Sequence, residues 1–359
     1  MDSMTHLLCQ ICGKTCSANT LQWRCTCGGL FDLHFEAELF VDALPHRPPT
    51  LWRYREAIPI ADDTHIVTLD EGFTPLTPVT IAGKSLLVKQ DHLFPSGSYK
   101  DRGATVLISH AKALGVHHMV EDSSGNAGAA VAAYAARAGI ACDIYVPDST
   151  SVAKLAQIQS YGANLYKIPG SREDTAHAVQ DAAQKHFYAS HVWSPFFFHG
   201  TKTYAYEIWE QRNFNAPDTL IIPTGNGTLL IGAYIGFTDL LKQNLITHMP
   251  KLIAVQSAHC APLAPTWTGN PSATIAEGIA IAEPARATQI VQCIDKTGGA
   301  ILTVDDDETR NAQKLMAEMG FYIEPTSATA IAAFVKYPSQ KDEIVVAPLT
   351  GHGLKSLGK

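Results

Sequence analysis

The side chain best suited to chemistry is Lys100, in the run Pro-Ser-Gly-Ser-Tyr-Lys-Asp-Arg-Gly at residues 95–103. An amine forms an imine with a carbonyl carbon only when it is uncharged, so such a lysine needs burial or nearby positive potential. An apolar strand predicted at residues 86–88 supplies burial. Ser98 is predicted to cap a helix whose positive end, together with Arg102, disfavours the ammonium form. The run predicts an imine-forming lysine, although a solvated loop lysine would explain this segment taken alone.

Three further loops each follow a predicted strand and contain small or hydroxyl residues. Ser-Ser-Gly-Asn at 123–126 opens an alanine-rich helix. Gly-Asn-Gly-Thr at 225–228 follows a predicted strand at 220–223, and its backbone amides at a helix start form a cradle for a phosphate. Thr350 ends a predicted strand at 344–347, the strand end at which open α/β sheets bind ligands. With an imine-forming lysine, these loops describe a pyridoxal phosphate site.

The four segments resemble, in the same order, motifs of the fold type II pyridoxal phosphate enzymes, and they are most similar to those of threonine synthases. The resemblance runs from about residue 68 to residue 355. It implies a tryptophan synthase β-like α/β fold, with two lobes of parallel-rich sheets flanked by helices and the cofactor between them. It also implies a lyase that converts O-phosphohomoserine and water to threonine and phosphate, by elimination and then addition at the β-carbon.

The resemblance implies a role for each matching residue. Lys100 would hold the cofactor as an internal aldimine and then act as general base and acid. Asn126 would bond the phenolic oxygen of the ring, and Tyr99 would border the ring or only pack. Thr350 would meet the pyridine nitrogen, where a hydroxyl gives a weaker electron sink than a carboxylate. The cofactor phosphate would be held by Gly225, Asn226, Gly227 and Thr228. The substrate would be bound by Ser123, Ser124, Gly125 and Lys202.

One departure from the family bears on the substrate. Threonine synthases usually carry an arginine for the substrate phosphate at the position of Phe197, so His199 or Lys202 would have to supply the positive charge. Two other lyase reactions stay open. One is dehydration of serine or threonine, whose enzymes the Ala-Glu-Gly-Ile-Ala run at 276–280 resembles. The other is a cysteate synthase-like replacement of the phosphate of O-phosphoserine by sulfite. A catalytically silent cofactor carrier or pyridoxal-binding regulator is the alternative of another class.

A cysteine cluster is the second chemical feature. Five of the eight cysteines fall within residues 9–27, which indicates metal ligation in a reducing compartment rather than a disulfide framework. Two closely spaced pairs, with glycines after each, predict a structural four-cysteine zinc ribbon, similar to that of some threonine synthases. The alternatives are a ribbon that has lost its metal and another thiophilic ion. The predicted ligands are Cys9, Cys12, Cys25 and Cys27.

Composition limits the partners. The net charge of −7 offers no basic surface in bulk to nucleic acid. No stretch approaches about twenty apolar residues, so we expect no membrane span. Residues 1–6 lack a basic segment followed by an apolar core, so we expect a cytoplasmic protein. The expected partner is a small-molecule amino-acid substrate, and a homodimer is common in the family.

Strands and helices alternate after a stiff, proline-marked linker at residues 45–49, which favours parallel sheets with helices on both faces. The further strands are predicted at 142–146, 165–168, 252–255 and 301–304, and the helices at 152–161, 175–187 and 309–319. We predict three domains from this order: a zinc ribbon at 1–44, a large lobe of 45–85 with 192–359, and a small mobile lobe at 86–191.

Overall fold

The structure, a computed structural model, describes residues 5–150, 152–170 and 172–356. The chain forms two compact units: unit 1 comprises residues 1–72 and 100–201, and unit 2 comprises residues 73–99 and 202–359. These limits differ from those of the predicted lobes, and the division into a ribbon, a small mobile lobe and a large lobe stays a prediction. Residues 1–4, part of the segment expected to lack a leader, lie outside the described residues.

Unit 1 begins with a small antiparallel sheet in the order β2-β1-β3. Its strands are β1 (His6–Cys9), β2 (Thr15–Ser17) and β3 (Phe31–His34). Alternate residues of β1 and β3, among them Leu7 and Phe31, share a hydrophobic core with Val106 and Phe196 further along unit 1. The cysteine-bearing segment is therefore packed onto the rest of unit 1.

The second sheet of unit 1 is four-stranded and parallel, in the order β8-β7-β6-β9. Its strands are β6 (His118–Glu121), β7 (Ala141–Pro147), β8 (Asn164–Ile168) and β9 (Phe187–Tyr188). The helices of this unit are α1 (Lys100–Ala113), α2 (Asn126–Ala138), α3 (Val152–Ser160), α4 (Arg172–Ala182) and α5 (Pro195–Thr201). The helix α2 is rich in alanine, which lets it pack closely, and it ends at Gly139 in the left-handed conformation that favours glycine (φ 69°).

Helices α1 and α5 approach each other at two glycines. A Cβ on Gly200 would lie 2.0 Å from the carbonyl oxygen of Arg102, and a Cβ on Gly103 would lie 2.3 Å from the ring of Phe197. Both distances are far below van der Waals contact, so this crossing requires glycine at both positions.

Unit 2 is built on a six-stranded sheet in the order β12-β11-β10-β13-β5-β4, parallel except for the edge strand β4. The strands are β4 (Leu76–Ile81), β5 (Lys84–Lys89), β10 (Thr219–Pro223), β11 (Lys251–Ser257), β12 (Ala300–Val304) and β13 (Val345–Pro348). The helices are α6 (Thr203–Gln211), α7 (Thr228–Lys242), α8 (Ala287–Lys296), α9 (Asp306–Glu318) and α10 (Pro325–Lys336). Every residue of β10 and β13 is buried, as expected for central parallel strands.

Most predicted strands and helices are confirmed, although α4 and α9 begin three residues before their predicted starts, and one helix end was wrong by five residues. The helix predicted to reach residue 187 ends at Ala182, and Phe187 lies in β9, where it pairs with Met119. No helix in the described ranges is long and apolar enough to cross a membrane.

Candidate active site

Lys100 is the first residue of α1 and is half-buried. Its Nζ lies 5.8 Å from the ring centroid of Phe197, so one side of the amine faces an apolar surface. The predicted cap was wrong: Ser98 is buried, and its Oγ makes no hydrogen bond to any described residue. The lysine nevertheless occupies the helix start that the sequence predicted.

Tyr99, directly before Lys100 in the chain, connects two of the predicted loops within unit 2. Its hydroxyl lies 2.7 Å from the hydroxyl of Thr228, and its backbone N–H donates to the carbonyl of Thr350 at 3.0 Å. Ser98 forms an isolated β-bridge with Gly351. Lys100 is therefore one peptide bond away from a residue that binds both the 225–228 loop and the end of β13.

The 225–228 loop joins β10 to α7 and has the features of an anion site. Gly227, the residue before α7, has φ 73°, which favours glycine, and it has no side chain that could cap the helix. A Cβ on Gly225 would lie 2.9–3.0 Å from Ile281 and Ile279, so the loop is also tightly enclosed. Backbone amides at the positive end of a helix, in a buried loop, suit a phosphate.

The 123–126 loop of unit 1 leads from β6 into α2, whose preceding residue, Gly125, has no side chain to cap the helix and donates its N–H to Ser123 Oγ at 3.3 Å. The buried carboxylate of Glu121, the last residue of β6, accepts the backbone N–H of Ser123 and lies 3.0 Å from Nδ1 of His191. A Cβ on Gly128 would lie 1.8 Å from the carbonyl oxygen of Ser123, so the loop folds directly over the helix.

Thr350 is buried at the end of β13, and its N–H donates to the hydroxyl of Ser327 at 2.9 Å. Its Oγ1 lies 3.5 Å from Oε1 of Glu324. Sequence reasoning missed both Glu324 and Glu121. The available signal was an acidic residue at an element end, one directly before Pro325 and the other directly before the 123–126 loop.

The segment that departs from the family pattern is buried. Phe197 is fully buried against Gly103, and the ring centroid of His199 lies 5.8 Å from that of Phe35. The Nζ of Lys202 lies 2.9 Å from Asp239, and burial lowers the pKa of this lysine although Asp239 opposes the shift. The charge of Lys202 is thus matched inside unit 2, and its substrate role stays a prediction.

The four predicted metal ligands come together. Their Sγ atoms all lie within 4.8 Å of one another, with Cys9 and Cys27 at 3.5 Å and Cys12 and Cys25 at 3.7 Å. A hydrogen bond from the Cys27 backbone lowers the pKa of the Cys25 thiol to about 6, which favours its thiolate. Although a backbone hydrogen bond from Gly29 opposes it, hydrogen bonds with the Cys9 and Cys12 thiols raise the pKa of Cys27 to about 12, so the protons of the cluster are shared unequally. Cys16 is outside the set, and burial raises its pKa.

Comparison with known proteins places the chain in a family. Residues 67–351 match the family described as "Pyridoxal-phosphate dependent enzyme". Solved structures with the same fold include O-ureido-L-serine synthase (TM-score 0.70, 23% identity, 80% of this chain and 92% of that one) and maize serine racemase (TM-score 0.67, 22% identity, 78% and 88%). The chain is thus a pyridoxal phosphate-dependent enzyme of fold type II.

Relatives with similar sequences show to which family of pyridoxal phosphate-dependent enzymes the chain belongs. The threonine synthase of Methanocaldococcus jannaschii is 35% identical over 97% of this chain and 92% of that protein. The threonine synthase of Methanosarcina acetivorans is 32% identical over 98% and 92%. That of Synechocystis is 35% identical over 87% and 85%. The chain therefore belongs to the threonine synthase family and is a threonine synthase-like, pyridoxal phosphate-dependent lyase.

Proposed function

We propose that this enzyme converts O-phosphohomoserine and water to threonine and phosphate. The observation that carries the proposal is the similarity to a threonine synthase over 97% of the chain, because it extends beyond the residues 67–351 that the family model matches. Fold likeness alone would not separate this reaction from other lyase reactions.

The loops fit the cofactor. Lys100 would bind it covalently, and its ring would meet Asn126 and Thr350. The start of α7 and the left-handed Gly227 suit its phosphate, which would be held by Gly225, Asn226, Gly227 and Thr228. Bound pyridoxal phosphate supplies an electron sink that stabilises negative charge on the carbon next to the substrate amine.

The side chains of this enzyme supply binding and proton transfer. Nζ of Lys100 would take a proton from the substrate carbon and return one, and the Phe197 ring beside it excludes water. Ser123, Ser124 and Gly125, at the start of α2, would hold an anionic group of the substrate through N–H and hydroxyl donors.

A second candidate reaction is dehydration of threonine or serine. The burial of Phe197 favours it, since the position expected to bind the substrate phosphate carries an apolar ring. A substrate without a phosphate would not need a cation there.

A substrate panel separates the two reactions. The cofactor-loaded protein is incubated with O-phosphohomoserine and, separately, with threonine, serine, and O-phosphoserine plus sulfite, and phosphate, threonine, 2-oxoacid and cysteate are measured. Phosphate released in step with threonine supports the proposal. A 2-oxoacid formed from threonine or serine, with O-phosphohomoserine left intact, would refute it in favour of the dehydratase.

Lys100 is tested by Lys100→Ala, with the exposed Lys314→Ala as the matched control. We expect Lys100→Ala to lose the covalent mass of the cofactor after borohydride reduction and to lower kcat by at least about 10²–10⁴-fold. Lys314→Ala should retain both. A reduced cofactor adduct on another lysine would show that Lys100 is not the residue that binds the cofactor covalently.

We also propose that the cysteine cluster holds a structural zinc ion. A tetrahedron of thiolates around zinc, with Zn–S bonds of about 2.3 Å, has S–S edges of about 3.8 Å. Two of the six spacings, 3.5 and 3.7 Å, are close to these edges, and all six lie within 4.8 Å. The homodimer and the cytoplasmic location stay predictions, which sedimentation and cell fractionation test.

A further inference from the structure

The hydroxyl of Tyr99 is hydrogen-bonded to the hydroxyl of Thr228 inside unit 2. The two oxygens are 2.7 Å apart, which is within the usual O–H···O distance of about 2.7–2.8 Å. Thr228 is 2% exposed and is the first residue of α7, in the loop that suits the cofactor phosphate. Neither of the roles considered for Tyr99, bordering the ring or packing, requires a hydroxyl, so this bond points to a further role.

The backbone on both sides holds this pair of hydroxyls in place. The N–H of Tyr99 donates to the carbonyl of Thr350 at 3.0 Å. On the other side, a Cβ on Gly227 would lie 2.4 Å from the side chain of Ile290, so the backbone directly before Thr228 is closely packed. The contact between the two hydroxyls therefore joins two segments that the fold fixes.

A bound phosphate decides which of the two hydroxyls donates. Each hydroxyl carries one proton and can also accept, so the pair alone allows either direction. Phosphate oxygens that carry no proton can only accept, and Thr228 must therefore give its proton to a phosphate that it holds. The bond between the two hydroxyls then requires the phenol of Tyr99 as the donor. Hydrogen bonds arranged in such a series strengthen one another.

We infer that Tyr99 is a positioning residue for the cofactor phosphate: its hydroxyl donates to Thr228, so that Thr228 donates to the phosphate. This relay supplies polarity without a cation, in a loop, residues 225–228, that contains no basic residue. It acts on the phosphate and not on the ring, so it favours pyridoxal phosphate over pyridoxal. The inference rests on the proposed role of Thr228.

The test compares binding of pyridoxal phosphate and of pyridoxal, which lacks the phosphate, to the full-length protein freed of cofactor. Both carry the aldehyde that would react with Lys100, so the difference between them reports the phosphate site. Tyr99→Phe, which removes only the hydroxyl, should raise the Kd of pyridoxal phosphate roughly 5- to 10-fold and leave that of pyridoxal unchanged. The ³¹P signal of the bound cofactor should shift as well. Tyr166→Phe, at an exposed tyrosine, is the matched control and should change neither affinity.

A Thr228 variant separates failure of the inference from failure of the proposed role. Thr228→Val removes the second hydroxyl at similar volume and should weaken binding of pyridoxal phosphate more than Tyr99→Phe does. Adding Tyr99→Phe to it should cost nothing further, because the relay is already broken. Additive losses in the double variant, or a Tyr99→Phe effect that is absent or equal for both ligands, overturn the inference alone. If Thr228→Val binds pyridoxal phosphate at the native level, Thr228 does not hold the phosphate, and the proposed role falls with the inference.

Discussion

Single buried residues of this enzyme have charge states set by their surroundings, and His110 is the clearest case. Its ring is 3% exposed and stacks on Phe196 with centroids 3.5 Å apart. Burial lowers the pKa of His110 to about 3, and burial followed by the nearby His352 lowers that of His92 to about 4. Both imidazoles are neutral in the folded enzyme at neutral pH.

His110 should make the protein less stable in mild acid. Its pKa is about 6.5 in the unfolded chain and about 3 in the fold, so below pH 6.5 the unfolded state binds the proton first and stability falls until about pH 3. At pH 5 this costs about 2 kcal/mol of unfolding free energy. His110→Phe keeps the ring and should reduce the loss between pH 7 and pH 5 by about that amount, measured by urea unfolding. His46→Gln, at an exposed histidine, should show the native loss, and equal losses in native protein and His110→Phe would contradict the assignment.

The site residues that were predicted from the sequence differ from the missed ones in whether a local pattern marks them. Lys100, Asn126 and Thr350 stand at strand or helix ends beside glycines and hydroxyls, so local pattern alone marks them. Glu121 and Glu324 matter because of partners 70 and 26 residues away. Such pairing depends on the tertiary fold, which spacing in the sequence does not encode.

Among the elements, the α1–α5 crossing depends on two glycines, one of which faces a side chain and the other a backbone carbonyl. Gly103→Ala would press on the Phe197 side chain, and we expect it to cost about 1–3 kcal/mol of unfolding free energy. Phe197→Leu should restore part of this loss in the double variant. Gly200→Ala would press on the backbone of Arg102 and should cost more, with no rescue by Phe197→Leu. Denaturant midpoints measure which of the two variants loses more stability, and equal losses in Gly103→Ala and Gly200→Ala would contradict the prediction.

Strand β5 and helix α6 are joined by a buried ion pair. Lys89 Nζ lies 2.7 Å from Glu207, and both side chains are 0% exposed. Lys89→Met removes the cation beside the buried carboxylate, and also a donor to the Thr74 carbonyl and to Gln211, and should cost about 3–5 kcal/mol. The double variant with Glu207→Leu should regain most of the loss, because neither charge then remains buried. Urea unfolding of the four proteins measures the coupling, and additive losses would contradict it.

At the same scale, the sequence indicated the strands and helices that lead into and out of the predicted loops, but it did not indicate β4, β9, α6, α8 or α10, nor every end. The periodic pattern after residue 175 continues through Phe187, whereas pairing of Phe187 with Met119 ends the helix at Ala182. The hydrophobic pattern of a segment does not show whether a distant strand will pair with it and so override its local helix propensity.

For the molecule as a whole, the cysteine cluster is a structural support of unit 1. Trp23, inside the cluster's sequence span, packs edge-on against Tyr188 and Trp193 with centroids 5.2 and 4.8 Å apart. Together with the core shared by Leu7 and Phe196, these contacts would transmit loss of the proposed zinc ion to the α/β part of the unit.

Removal of the metal should therefore lower the melting temperature and change tryptophan fluorescence. Cys25→Ser should lose zinc, measured by elemental analysis, and its melting temperature should fall by roughly 2–4 °C for each kcal/mol of stability lost. Cys16→Ser is the matched control and should keep one zinc per chain. Native protein without bound metal after reduction and reconstitution would contradict the zinc assignment.

The position of β13 between β10 and β5 determines the order in which the parts of this enzyme can fold during synthesis. Leu87 pairs with Val346, so the β4–β5 hairpin leaves the ribosome long before the strand that joins it to β10. At about 5–20 residues per second, the wait is on the order of tens of seconds, during which a two-stranded hairpin alone is barely stable. Unit 1 has no such wait, because its last residue is 201. A nascent chain halted before residue 345 would thus carry a folded unit 1 and the six-stranded sheet of unit 2 in two unjoined pieces. Folding of unit 2 can therefore be completed only after β13 has been synthesised.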